Sequence, residues 1–242
     1  MDTINNNNIL LSTENLCKNF QGIQAVQNVN FKLPKNEIRA LIGPNGAGKT
    51  TFVSLLCGRI KSTEGQVFFN GENISKLPVY TRISKGISYT FQITSIFSNL
   101  TVFENVALAV RGFEQKNKNF NDEISDSLKK VGLLDRSFQR SGDLSYGHQR
   151  LLELAMGLAQ NPRLLILDEP TQGLSDPEIE NFNLLIKSIS TSTTILLIEH
   201  NMNVVMSLAD KISVLHFGRI IAEGNKEDIK KDPIVQKAYL GD

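Results

Sequence analysis

Apolar and polar positions alternate along "AVQNVNFKL", putting Val29, Phe31 and Leu33 on one face, the pattern of a strand in a half-buried sheet. After the turn "PKNE" comes "IRALIG", a short apolar strand ending at glycine, and "KTTFVSLLCG" then reads as a helix closed by Gly58. "GQVFFNGENI" carries the hairpin dipeptide Asn70-Gly71, and "GISYTFQ" is a further strand ending in Gln92.

Beyond Gln92 the periodicity changes. "LTVFENVALAVRG" sets Thr101 and Glu104 in capping-box spacing ahead of an amphipathic helix. "EQKNKNFN" is a polar linker, and "DEISDSLKKVGLL" is a second helix with Ile124, Leu128 and Val131 inward. With the helix that opens after Ser145 in "DLSYGHQRLLELAMG", these predict a helical insert over about 93–162 that forms its own lobe. Strand–helix alternation then resumes: "RLLILDE" is a strand, "DPEIENFNLLIKSI" a helix, "TTILLIEH" a strand and "MNVVMSLA" a helix. "KISVLHFGRIIAEG" is a hairpin turning at Phe217-Gly218-Arg219. Such alternation implies an α/β fold with a mainly parallel sheet, the antiparallel hairpins lying at its side.

Composition adds exclusions. The chain has 242 residues, 40% of them hydrophobic and 21% charged, which suits a soluble globular protein of one large domain or a domain plus a small subdomain. With 26 Lys+Arg against 25 Asp+Glu, the net charge of +1 supplies no general field for nucleic acid. Cys17 and Cys57 sit in no metal-binding spacing and fit two reduced thiols. The leader "MDTINNNN" lacks basic and apolar signal regions and is expected to be a flexible tail over residues 1–9. No apolar run approaches the roughly 20 residues needed to span a bilayer, so a membrane role would be peripheral.

"GPNGAGKT" follows an apolar strand and opens a helix, the context a phosphate-binding loop requires. Gly43, Pro44, Asn45, Gly46, Ala47, Gly48, Lys49, Thr50 and Thr51 are the candidate nucleotide contacts. Gly46 and Gly48 would let backbone approach phosphate, Lys49 would reach the β- and γ-phosphates, and Thr50 would ligate Mg²⁺. "LLILDEP" offers Asp168 as a metal carboxylate and Glu169 as general base at the C-terminal end of a buried strand; the alternative is a solvated acidic strand end. Gln92 suits a magnesium or water ligand, or a plain hinge loop. His200 suits a γ-phosphate donor, or a histidine at the core edge. Phe20, placed in a loop region before Gly22, would stack on adenine or serve as a core aromatic. A second Ser-x-Gly turn, at Ser145 and Gly147, opens a helix in the manner of an anion site.

In their order, the phosphate loop, Gln92, "LSYGHQ", "LLILDEP", "GLSD" and His200 resemble the ABC-type ATPases over nearly the whole chain from about Leu10. The resemblance implies a P-loop NTPase core over 10–242 with an antiparallel β-subdomain and an inserted helical subdomain. It implies ATP and Mg²⁺ as ligands. It also implies that Ser145 and Gly147 close on the ATP of an opposite subunit, which answers why one chain has two phosphate-suited helix starts. "GLSD" resembles the loop crossing that interface; alternatively Asp176 would cap the next helix, with Pro177 in its first turn. The chain departs from Leu-Ser-Gly-Gly-Gln at Tyr146 and His148.

Within that family, "LSYGHQRLLELAMGLAQNP", "DEPTQGLSDPE" and "IEHNMNVVMSLADKISVL" resemble the ATPases of importers for branched-chain amino acids, with urea importers similar. The implied partners are a second ATPase subunit (the same or different), two integral-membrane permease subunits and an extracytoplasmic solute-binding protein. The implied location is the cytoplasmic face of the inner membrane, and no nucleic acid is involved. A soluble assembly ATPase of the iron–sulfur scaffold type is the alternative.

Overall fold

A computed structural model describes residues 8–90, 95–111 and 120–240. The chain begins with β1 (Ile9–Phe20), β2 (Ile23–Pro34), β3 (Ile38–Ile42), α1 (Lys49–Cys57), β4 (Glu64–Phe69), β5 (Glu72–Asn73), α2 (Val79–Ser84) and β6 (Ile87–Thr90). There follow α3 (Val102–Arg111), α4 (Phe120–Lys130) and α5 (Tyr146–Leu158). The remainder is β7 (Leu164–Asp168), α6 (Asp176–Ser190), β8 (Thr194–Ile198), α7 (Met202–Leu208), β9 (Lys211–His216), β10 (Arg219–Gly224), α8 (Lys226–Lys231) and α9 (Pro233–Leu240).

Two sheets form. The larger has the order β10-β9-β3-β8-β7-β6, and every neighbouring pair is parallel except β10 with β9. The smaller, β2-β1-β4-β5, is antiparallel. The mainly parallel sheet expected from the alternation and the antiparallel β-subdomain implied by the resemblance are both present.

Period-two alternation divides the core. In β7, Leu164 and Ile166 face the antiparallel sheet and α1, while Leu165 and Leu167 face the helices. In β8, Leu196 and Ile198 take the first side, Ile195 and Leu197 the second. All ten residues of the two strands are buried, as a parallel sheet covered on both faces requires. A third cluster packs Ala40 and Ile42 of β3 and Val214 of β9 beneath α7, α8 and α9.

Among the described residues, the helices between β6 and β7 share their core with the large sheet. Val102, Val106, Ile124 and Leu128 share one cluster with Leu165, Leu167, Phe182 and Ile186. The capping box at the start of α3 is formed: the Glu104 N–H donates to Thr101 Oγ1 at 3.1 Å, and the Thr101 N–H donates to Glu104 Oε2 at 2.8 Å.

Three expectations need correcting. Ile9, expected in the tail, opens β1 and pairs with Pro34, and the Asn8 carbonyl accepts the Lys35 N–H. Phe20 ends strand β1 instead of lying in a loop. The cap of α6 is Ser175, whose N–H and hydroxyl both donate to Glu178 Oε2, while Asp176 is the first helical residue. Among the described residues, no helix is long and apolar enough to cross a membrane.

Candidate active site

Open parallel sheets bind ligands at the carboxyl ends of their strands. The adjacent strands β3, β8 and β7 end there in the Gly43 loop, His200, and Asp168 with Glu169. Topology thus gathers residues separated by more than a hundred positions.

The loop from Gly43 to Gly48 bends around its own helix start. Lys49 Nζ donates to the carbonyls of Gly43 at 2.7 Å and Pro44 at 3.1 Å, which holds the ammonium inside the loop. Burial lowers the lysine pKa, opposed by the carboxylates of Glu169 and Asp168. The β9–β10 turn straps the loop from outside, with the Gly218 N–H donating to the Ala47 carbonyl at 2.8 Å. A Cβ on Gly48 would stand 2.3 Å from the Ala25 carbonyl oxygen, so this glycine answers to the protein's own backbone. Gly46, at φ +78°, has no heavy atom within 4 Å of such a Cβ. Gly46 therefore faces open space, and its left-handed backbone is what favours glycine there. Thr50 is exposed and Thr51 half-buried in the first turn of α1, where backbone N–H groups and the helix dipole favour anions.

Asp168 is buried at the end of β7 and accepts the Tyr89 phenol at 2.7 Å. Burial pushes its pKa above the ordinary aspartate range, with Glu169 adding to the rise and Tyr89, Lys49 and His200 opposing it. Burial and the bond to Asp168 push Tyr89 far above the ordinary tyrosine range. Glu169 takes a left-handed backbone, φ +49°, and its N–H donates to the Ile198 carbonyl at 2.9 Å. Non-glycine residues adopt that conformation at a cost, and here it turns the side chain off the strand. Glu169 Oε1 lies 2.7 Å from His200 Nε2. A carboxylate only accepts, so Nε2 carries the hydrogen. A donor suited to a phosphate oxygen and an acceptor suited to a water thus stand side by side.

Two residues at the site escaped the sequence reading. Tyr89 sat inside a strand pattern and Glu199 looked like a strand's polar end. Glu199 is buried, and its carboxylate accepts the Thr171 N–H at 3.1 Å, the Thr171 hydroxyl at 2.5 Å, and the N–H groups of His200 at 3.0 Å and Asn201 at 3.2 Å. The signal available in sequence was a carboxylate beside the candidate histidine.

Other candidates lie elsewhere. Ser145 caps α5, its Oγ 2.8 Å from His148 Nδ1. A Cβ on Gly147 would come within 2.3 Å of Glu178 Oε1 and 3.6 Å of Leu174 Cδ2, so the second turn packs on the "GLSD" segment. Tyr146 covers Gly173 and lies under the Arg150 guanidinium, which gives this departure a packing role. Phe20 is partly exposed at the end of β1, with Lys18 Nζ 4.8 Å from its ring centroid. Gln92 lies outside the described residues.

A family model described as "ABC transporter" matches residues 26–172, from β2 through the loop to the segment after Glu169. The chain belongs to the ABC transporter family. The "High-affinity branched-chain amino acid transport ATP-binding protein LivG" of Escherichia coli (strain K12) is 37% identical over 250 residues, covering 96% of this chain and 98% of that protein. Two solved ATP-binding cassettes from ABC transporters are similar over 97% of this chain. One is nucleotide-free, 28% identical with a TM-score of 0.89 over 100% of its own chain. The other, in an ADP conformation, is 27% identical with a TM-score of 0.88 over 99%. As an ABC cassette the chain is a nucleotide-binding ATPase of a transporter. The loop, the strand-end carboxylates and the histidine belong to one cassette.

Proposed function

We propose that this chain hydrolyses ATP to drive an importer for branched-chain amino acids or a related small solute. Near-full-length similarity to LivG is the observation that carries the importer reading. In this reading Lys49 and the start of α1 hold the phosphates, and Phe20 stacks on adenine. Among the described residues no group of three or more His, Cys, Asp or Glu is poised to hold a metal. One buried carboxylate, Asp168, and one exposed hydroxyl, Thr50, fit Mg²⁺, which takes few protein ligands and otherwise phosphate oxygens and water. Gln92 adds an amide to that set. Magnesium, when bound, neutralises developing charge on the phosphates. Glu169 accepts a proton from the attacking water, and His200 donates to the γ-phosphate.

Ser145 and Gly147 contact ATP held by a second ATPase subunit, a copy of this chain or a different one. The two subunits sit at the cytoplasmic face of the inner membrane beneath two permease subunits, served by an extracytoplasmic solute-binding protein. The helical subdomain over about 93–162 and the Gln92 loop receive the permeases, and closure on ATP moves them because ATP favours the closed state.

The test is to tag the chain in its own cell, solubilise membranes gently and identify what copurifies. Two polytopic subunits, with a solute-binding protein for branched-chain amino acids, are expected; soluble scaffold proteins without membrane subunits would overturn the importer. For the chemistry, Glu169→Gln is expected to abolish turnover while ATP still binds. Unchanged turnover would remove Glu169 from the base role.

A further inference from the structure

Glu199 holds both segments that carry Glu169 and His200. Its two oxygens are divided between them. Oε1 takes the N–H and hydroxyl of Thr171, two residues after Glu169. Oε2 takes the N–H groups of His200 and Asn201, where the chain leaves β8. Glu199 is 3% exposed and Thr171 4%, so water does not substitute for these bonds. A buried carboxylate is costly unless fully hydrogen-bonded, and four donors meet that demand.

We infer that Glu199 is the positioning residue that sets the Glu169 carboxylate and the His200 imidazole at their working separation. One backbone link already joins the strands here, from the Glu169 N–H to the Ile198 carbonyl. That link joins the strand ends, and Glu199 joins the two turns beyond them to each other. An amide in its place offers one acceptor oxygen and turns an N–H₂ toward donors, so one arm of the clamp must open. The role rests on the reading of Glu169 as base and His200 as phosphate donor.

The experiment measures steady-state ATP hydrolysis, affinity for a fluorescent ATP analogue and thermal melting on the full-length chain. The variants are Glu199→Gln, Thr171→Val and Thr171→Ser. Glu199→Gln is expected to lower kcat about tenfold, with KM for ATP and analogue affinity within about twofold of the parent. Thr171→Val should lower kcat several-fold, and Thr171→Ser, which keeps the hydroxyl, should restore it. Combining Glu199→Gln with Thr171→Val should lower kcat by less than the two single effects multiplied, because both act on one clamp. A kcat within twofold of the parent in folded Glu199→Gln overturns the role. So does a Thr171→Ser variant no better than Thr171→Val, a readout that survives poor folding of Glu199→Gln. Glu169→Gln is measured alongside. Turnover kept there defeats the base assignment itself, whereas turnover lost there but kept in Glu199→Gln defeats only the positioning role.

Discussion

The Tyr89 phenol donates to Asp168 Oδ2 at 2.7 Å, tying β6 to the carboxyl end of β7. The two strands are parallel neighbours, with Tyr89 opposite Ile166, so the phenol reaches two residues along the next strand. One Asp168 oxygen is thereby fixed and the carboxylate is oriented before any cation arrives. Tyr89→Phe removes one hydrogen bond to a charged group, about 1.5–3 kcal/mol in general. Half-saturating magnesium in the ATPase assay should rise roughly tenfold, since 1.4 kcal/mol is a factor of ten. An unchanged magnesium requirement would show that the phenol does not orient the carboxylate for a cation.

Asp168 also sets a stability trade. Burial raises its pKa, so folding favours the protonated form. A carboxylate with a raised native pKa destabilises the fold fully above that pKa, and the penalty disappears below the unfolded value. Asp168→Asn removes the charge, and its amide oxygen can still accept from Tyr89. At neutral pH its Tm should therefore exceed the parent's, by about 2–4 °C for each kcal/mol relieved in a chain of this size. The difference should shrink as pH falls through the window above the ordinary aspartate range, and hydrolysis should be lost throughout. A Tm equal to or below the parent's at neutral pH, measured by scanning calorimetry, would contradict the penalty.

Legibility in the sequence followed the local order of each element. "LLILDE" and "TTILLIEH" are unbroken apolar runs because both sheet faces are covered, and their chemistry sits at the strand ends. β1 does not read as a strand because its register with β2 shifts between Thr13 and Leu16, where Asn15 takes φ +48°, and again between Leu16 and Lys18. Such bulges break the period of two on which strand reading depends. Tyr89 and Glu199 could not be assigned without knowing that β6 lies beside β7 and β7 beside β8. The reason for Gly48 was likewise tertiary: the obstructing oxygen belongs to Ala25, a strand away.

Arg150 and Glu153 form a pair buried within α5, 2.9 Å apart and 4% and 7% exposed. Glu153 Oε1 also accepts the Ser95 N–H at 2.6 Å, so the pair ties α5 to the segment beyond Gln92. Burial raises the Glu153 pKa against the Ser95 and Arg150 bonds. Glu153→Ala would leave Arg150 as a buried cation and should cost about 3–5 kcal/mol. Replacing both, as Arg150→Met with Glu153→Leu, should cost less than Glu153→Ala alone. Urea unfolding of the three variants measures this, and a double variant less stable than Glu153→Ala would count against the pair.

The two glycines of the phosphate loop should fail differently. Gly46→Ala pays for its left-handed backbone, about 1–2 kcal/mol, but its methyl meets no protein atom. Gly48→Ala pays a similar backbone cost and must also displace the Ala25 carbonyl or the Gly218 turn. Gly46→Ala should accordingly fold with a Tm lowered by a few degrees. Its methyl projects into the open side of the loop, where the nucleotide reading places phosphate, so affinity for a fluorescent ATP analogue should fall at least about tenfold. Gly48→Ala should lower Tm more than Gly46→Ala does, and bind poorly because its loop is displaced. Melting and equilibrium binding on both variants separate the cases. Parent-like ATP affinity in Gly46→Ala would mean that the open side of this loop is not where phosphate sits.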